Sequence, residues 1–159
     1  CIFLVDGKQD IEITGGVFNA EDDMTEVISI LNGAHSISVS EVKCNGCRLL
    51  TSDVMKSYDL INDSELNYNI NINECYGAST KIVTRKAFIE LHYIKVCNCF
   101  DCNIDGYYHG IMFWGGDANP KRDGVLENLR KVSHLNFKGN TVKNVQLGGI
   151  WGSMGEYIT

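Results

Sequence analysis

The residues best equipped for chemistry fall in two matching stretches of this 159-residue chain. HGIMFWGGDANPKRDG, residues 109–124, holds His109, Trp114, Asp117, Lys121, Arg122 and Asp123 around the single proline of the chain. GGIWGSMGE, residues 148–156, repeats its outline, with Ile111 falling on Ile150 and Asp117 on Glu156. Alternate side chains of a strand face opposite sides. With Ile111 and Phe113 in a core, Met112 and Trp114 face out, and Ile150 in the next unit sends Trp151 out across from Met112. Two indoles on one face offer flat apolar surface with an N–H at the rim. If Asp117 and Glu156 end equivalent strands about 4.8 Å apart, one acid can be held protonated by its neighbour, as general acid–base chemistry requires. FIELHY, residues 88–93, adds Glu90 and His92 on the outer side of a strand whose Ile89 and Leu91 face in. The same alignment brings His134 near His92. Each group also has a non-catalytic reading: solvated acids after glycine turns, a stacked polar ladder, or a tryptophan that caps the core.

These side chains need elements to hold them, and the chain supplies short alternating runs. DIEITGG (10–16), HSISVSEVKC (35–44), LNYNININEC (66–75), FIELHYIKVCNC (88–99) and HLNFKGN (134–140) carry apolar residues at every second position, flanked by Gly, Asn, Asp or Ser. The runs also echo one another. YIKVCNCFDCNI (93–104) set over HLNFKGNTVKNV (134–145) pairs Ile94 with Leu135, Val96 with Phe137 and Ile104 with Val145, and EVKCNGC (41–47) resembles the IKVCNC phrase. Self-similarity at about 20–40 residues is the mark of a solenoid. Strand coils with Asn- and Gly-rich turns predict an all-β, right-handed parallel β-helix spanning 1–159 as one domain, with a long inserted loop at 115–131 beside the outward tryptophans. Loops of that length are usually functional, and Asp123 and Glu127 within it are reserve carboxylates. A helical turn or two is expected only within 119–132. A β-sandwich would show the same alternation but needs hairpin turns, whose strongest signals are sparse here.

Composition sets limits. At 44% apolar and 21% charged residues the chain is globular, and its net charge of −6 argues against nucleic acid as a partner. No run of 18 apolar residues exists to span a membrane. The opening CIFLVDG, strand-like and without Met, suggests a piece of a longer chain. Seven cysteines include the spacings C-x2-C at 44–47 and C-x-C-x2-C at 97–102. These invite a zinc reading, but tightly stacked turns also want small buried residues. The expectation is reduced, buried thiols and folding inside a cell. DGKQD (6–10) offers only a weak calcium-type cluster, so no metal and no cofactor is expected.

The phrases DIEITGGVF, LNFKGNTVKNV and GGIWGSMGEYIT resemble the right-handed parallel β-helix of the pectate-lyase-like superfamily. HGIMFWGGDAN combined with GGIWGSMGE resembles, more narrowly, bacteriophage tailspike depolymerases, although this chain is several times shorter than such spikes. The resemblance implies homotrimers, folded in the host cytoplasm and carried on the virion, whose β-helices bind and usually cleave a bacterial capsular or surface polysaccharide. On that reading Asp117, Glu156, Glu90 and His92 are the catalytic candidates, and Trp114, Trp151, His109, Arg122 and Lys121 the substrate-binding ones. Carboxyls about 5 Å apart suit a retaining glycosidase, and a wider spacing an inverting one. Hydrolysis is the favoured chemistry. A lyase would use Lys121 with Arg122 to neutralise a uronate and His109 or His92 as base; a non-catalytic glycan-binding β-helix is the remaining alternative.

Overall fold

A computed structural model describes residues 1–55, 62–115 and 132–159. The chain winds as a right-handed parallel β-helix of three sheets. Sheet 1 holds β1 (Phe3–Asp6), β4 (Glu26–Leu31), β7 (Arg48–Asp53), β10 (Ala87–His92), β13 (His109–Trp114) and β16 (Gly148–Ser153). Sheet 2 holds β2 (Gln9–Thr14), β5 (His35–Ser40), β8 (Asn67–Asn73), β11 (Ile94–Phe100), β14 (Val132–Lys138) and β17 (Gly155–Ile158). Sheet 3 holds β3 (Val17–Asn19), β6 (Lys43–Asn45), β9 (Tyr76–Ala78), β12 (Asn103–Asp105) and β15 (Thr141–Lys143). Each coil crosses the three sheets in turn, and every described pairing is parallel.

The core is a set of stacked columns. Ile28, Leu50, Ile89, Ile111 and Ile150 lie in register on sheet 1. Ile11, Ile37, Ile70, Cys97, Leu135 and Ile158 do so on sheet 2. Burying one such side chain contributes about 1.5–3 kcal/mol, and the columns make that burial continuous along the axis. At the entry to sheet 1 the chain bends, so two successive residues point inward: Val27 with Ile28, Leu49 with Leu50, and Phe88 with Ile89, all fully buried. The residue before each pair is thereby thrown to the outside.

The sheet 2 to sheet 3 corners repeat as two residues. Gly15, Glu41, Glu74, Asp101 and Gly139 all adopt left-handed φ, from 51° to 71°. The first four send their N–H to a carbonyl of the next coil, at Ser40, Asn73, Phe100 and Lys138. The following residue turns inward, where Val42, Cys75 and Cys102 are buried and the Asn140 amide bonds the Cys99 carbonyl and the Cys102 N–H. A second left-handed column, at Asp10, Ser36, Asn69, Val96, His134 and Tyr157, kinks every strand of sheet 2 just before its residue in the Ile11–Ile158 column. A left-handed residue other than glycine costs about 1–2 kcal/mol, and the stacking overrides that preference coil after coil.

Those kinks correct two sequence alignments. The actual register sets Cys97 on Leu135, Cys99 on Phe137 and Ile104 on Val142, three residues from the alignment that put Ile94 on Leu135. A slip of odd length exchanges the faces, so Val96 is exposed and Cys97 and Cys99 are core. EVKCNGC corresponds to DCNIDGY (101–107), not to IKVCNC, because Cys44 and Ile104 share one column of sheet 3. The thiols follow: six cysteines are free and buried, and Cys1 is free but exposed. No metal-holding cluster occurs among the described residues.

Candidate functional site on the outer face of sheet 1

Outward positions on sheet 1 form two columns. One runs Ser29, Thr51, Glu90, Met112, Trp151. The other includes Leu31 beside Asp53, then His92 beside Trp114 and Ser153. The corner bend described above adds Glu26, Arg48 and His109 at the strand starts. Trp114 and Trp151 therefore share this face, as the alternation implied, but differ in setting. Trp151 is 46% exposed and stacks over His109, with ring centroids 5.4 Å apart. Trp114 is half-buried against Val54, Leu66 and Tyr93, with His92 5.6 Å from its ring.

A chain of charge crosses the face. Arg48, 2% exposed, sets Nη2 2.9 Å from Glu26 Oε2 and Nη1 3.6 Å from Glu90 Oε2. It also donates to the Asp23 carbonyl through Nε and to Thr51 Oγ1 through Nη1. Glu90 Oε1 lies 3.1 Å from His92 Nε2, and His92 Nδ1 lies 4.0 Å from Asp53 Oδ2. Burial pushes the Glu90 carboxyl up, but the bond to His92 and the charges of His92, Lys86 and Arg48 outweigh it and hold it below the usual carboxylate value. Burial likewise pushes His109 down, against the opposing pull of the Gly148 backbone and the Glu90 charge. Glu90 is thus kept as an anion and His109 as a neutral ring.

Three buried side-chain polar atoms among the described residues lack a well-formed hydrogen bond: Glu90 Oε2, His92 Nε2 and His109 Nδ1. All three lie on this one face. Orphaned buried polar atoms are rare in native proteins and call for a reason. Two of these three lie beside ion-pair partners, Glu90 Oε2 3.6 Å from Arg48 Nη1 and His92 Nε2 3.1 Å from Glu90 Oε1, and with His109 Nδ1 they leave hydrogen-bonding capacity on this face.

The other candidates are placed differently. Glu156 lies on β17 in sheet 2, and its neighbour in the preceding coil is Ser133. It therefore does not end the sheet 1 strand that the comparison with Asp117 assumed. Asp117, Lys121, Arg122, Asp123 and Glu127 lie outside the described residues, as do most of the 115–131 loop and of the helical turn expected within 119–132. His134 sits on sheet 2, 4.7 Å from the ring of Tyr157, so no column joins it to His92. Sequence reasoning passed over Arg48 and Asp53. RLLTSD carries no clear alternation, because the inward pair Leu49 and Leu50 interrupts it just where the chain bends. No known family, curated protein or solved structure matches this chain.

Proposed function

We propose that the outer face of sheet 1 binds a glycan and hydrolyses it, and that the chain is a β-helical segment of a spike-type polysaccharide depolymerase. The observation that carries this reading is the presence on one face of a buried carboxylate and two imidazoles, each with a buried polar atom lacking a well-formed hydrogen bond, beside Trp151 and Trp114. Exposed indole surface suits the C–H face of a sugar ring, and the unused atoms suit its hydroxyl groups. Glu90, held ionised, serves as base for the attacking water. His92 hands a proton to the leaving oxygen and is oriented from its other side by Asp53. Homotrimers on a virion, acting on a bacterial surface polysaccharide, belong to the same proposal.

A second reading, binding without cleavage, is favoured by one observation: Glu90 is only 4% exposed. One assay separates the two. Purified capsular and surface polysaccharides are incubated with the protein and with Glu90→Gln, and reducing ends and ultraviolet absorbance of unsaturated products are followed. The hydrolase reading expects new reducing ends without absorbance, lost in Glu90→Gln. Absorbance would assign a lyase. Saturable binding with no new ends, weakened by Trp151→Ala, would assign a binder.

A further inference from the structure

The corners leading from sheet 3 back to sheet 1 are unequal in length: residues 20–25 in the first coil, 46–47 in the second and 79–86 in the third. The two long corners meet over the short one. Asp23, fully buried, accepts bonds from Val83 N at 2.7 Å, Thr84 N at 3.1 Å and the Thr84 hydroxyl. Lys81 Nζ lies 3.6 Å from Asp22 Oδ2. Below them the second corner is held down by Gly46, at φ +86°, where a Cβ would come within 2.1 Å of the Ala20 carbonyl oxygen. What remains between arch and corner is a notch of about 340 Å³, at the lower end of the size range of small-ligand sites.

Its chemistry is specific. Ala20, Gly46 and Ala78 give a small apolar floor, while Asn45, Glu21 and Thr80 supply polar groups around it. Asn45 Nδ2 donates to Asn19 Oδ1 at 2.8 Å, the start of an amide ladder on the outer side of sheet 3. The next rung is Ala78, which has no side-chain polar atom, so the Asn45 carbonyl faces the notch with nothing of the ladder to meet it. Beyond Ala78 the column continues as Asp105 and Lys143, whose charged groups lie 3.5 Å apart. At the rim the Lys81 charge is offset by Asp22 outside the notch, while Glu21 adds a negative one, so anionic groups are disfavoured.

We propose that this notch is an accessory subsite for one neutral pyranose unit, whose C–H face meets the alanine floor and whose hydroxyls meet Asn45, Thr80 and Glu21. It lies at the end of sheet 3, on the corner that leads into sheet 1, and is lined by none of the side chains of the sheet 1 face. The proposal rests on the glycan reading for its ligand class, but not on cleavage. Its test is a titration of the ¹⁵N-labelled full chain with two probes, a neutral malto-oligosaccharide and an oligogalacturonate, read at the backbone amides of Gly46, Ala78 and Thr80. Saturable shifts there with the neutral probe alone are the expected result. Ala78→Gln, which extends the amide ladder into the notch, should weaken that binding about tenfold or more while leaving reducing-end release by the sheet 1 face unchanged. Thr80→Val, a change at the rim only, should weaken it less and serves if Ala78→Gln folds poorly. No saturable shift at these amides with the neutral probe, equal shifts with the uronate, or undiminished affinity in both variants would overturn the proposal. Shifts that saturate in a protein releasing no reducing ends support the notch while removing the hydrolase reading.

Discussion

Replacing Arg48 with Met removes one cation from a nearly closed site. The methionine side chain fills much of the space of the arginine stem, so the main loss is charge and hydrogen bonding rather than volume. Glu90 is left 4% exposed without the guanidinium 3.6 Å away, and Glu26 loses its 2.9 Å partner. The Asp23 carbonyl and the Thr51 hydroxyl lose their donor as well. Breaking a buried ion pair from one side costs about 3–5 kcal/mol, which in a chain of this size lowers Tm by roughly 10 °C. The effect has a pH signature. Glu90 titrates below its ordinary value of 4.5 in the folded state, so its contribution is present above that value and is lost as pH falls through the folded pKa. Without Arg48 the carboxylate is less favoured, so the variant's deficit should shrink on acidification as Glu90 takes up a proton. Adding Glu90→Gln should recover part of the loss. Urea unfolding of the wild type, both single variants and the double variant at neutral and acid pH measures each quantity. Arg48→Met within about 1 kcal/mol of wild type, or additive effects with coupling under about 0.5 kcal/mol, would mean that Arg48 and Glu90 do not depend on each other.

Further outcomes follow from other parts of the structure. Gly46→Ala should cost about 2 kcal/mol or more, because it adds a left-handed alanine to a contact with the Ala20 carbonyl; Tm by calorimetry checks it, and a neutral result would mean the corner can shift. His109 is held below its ordinary 6.5 mainly by burial, so its share of stability is present above that pH and is lost as pH falls below it. His109→Gln should flatten the Tm profile over that range, and parallel profiles for wild type and variant would contradict the assignment. Cys47 is lowered to about 7 by its bond with Cys44, yet it is buried beneath the Phe18 carbonyl, to which its thiol donates. A thiol-reactive disulfide reagent should therefore titrate only Cys1 in the native protein and all seven thiols after denaturation. A second fast-reacting thiol in the native state would show that the core opens.

The alternation of apolar residues was enough to recognise β2, β5, β8, β10, β11, β13, β14 and β16 but not β4 or β7, and the recurrence of the Asn- and Gly-rich phrases was enough to recognise coils. Where no left-handed residue intervenes the register was legible too: Ile111 does lie on Ile150 and Met112 on Trp151. Glu90 and His92 were correctly placed outside Ile89 and Leu91, because β10 is regular from residue 89 onward. Sheet 2 was misaligned because its left-handed residues include Val96, His134 and Tyr157, types that carry no turn signal. A local propensity that disfavours this conformation is overruled by neighbours stacked above and below. The pairing of Asp117 with Glu156 failed as an argument for the same kind of reason. Met154 is left-handed at the exit from sheet 1, so the chain turns and Glu156 belongs to another sheet.

The class of fold, the inward columns of sheet 1 and the outward tryptophans were legible in the sequence, since all of these depend on a two-residue period and on side-chain size; which thiols are core on sheet 2 depended on its left-handed residues. Only the tertiary structure decided which polar groups meet. Arg48, Asp53, Glu90 and His92 are separated along the chain by corners of unequal length, and their contacts are set by rung stacking across coils. No local pattern encodes that distance; it is fixed when each coil settles on the last.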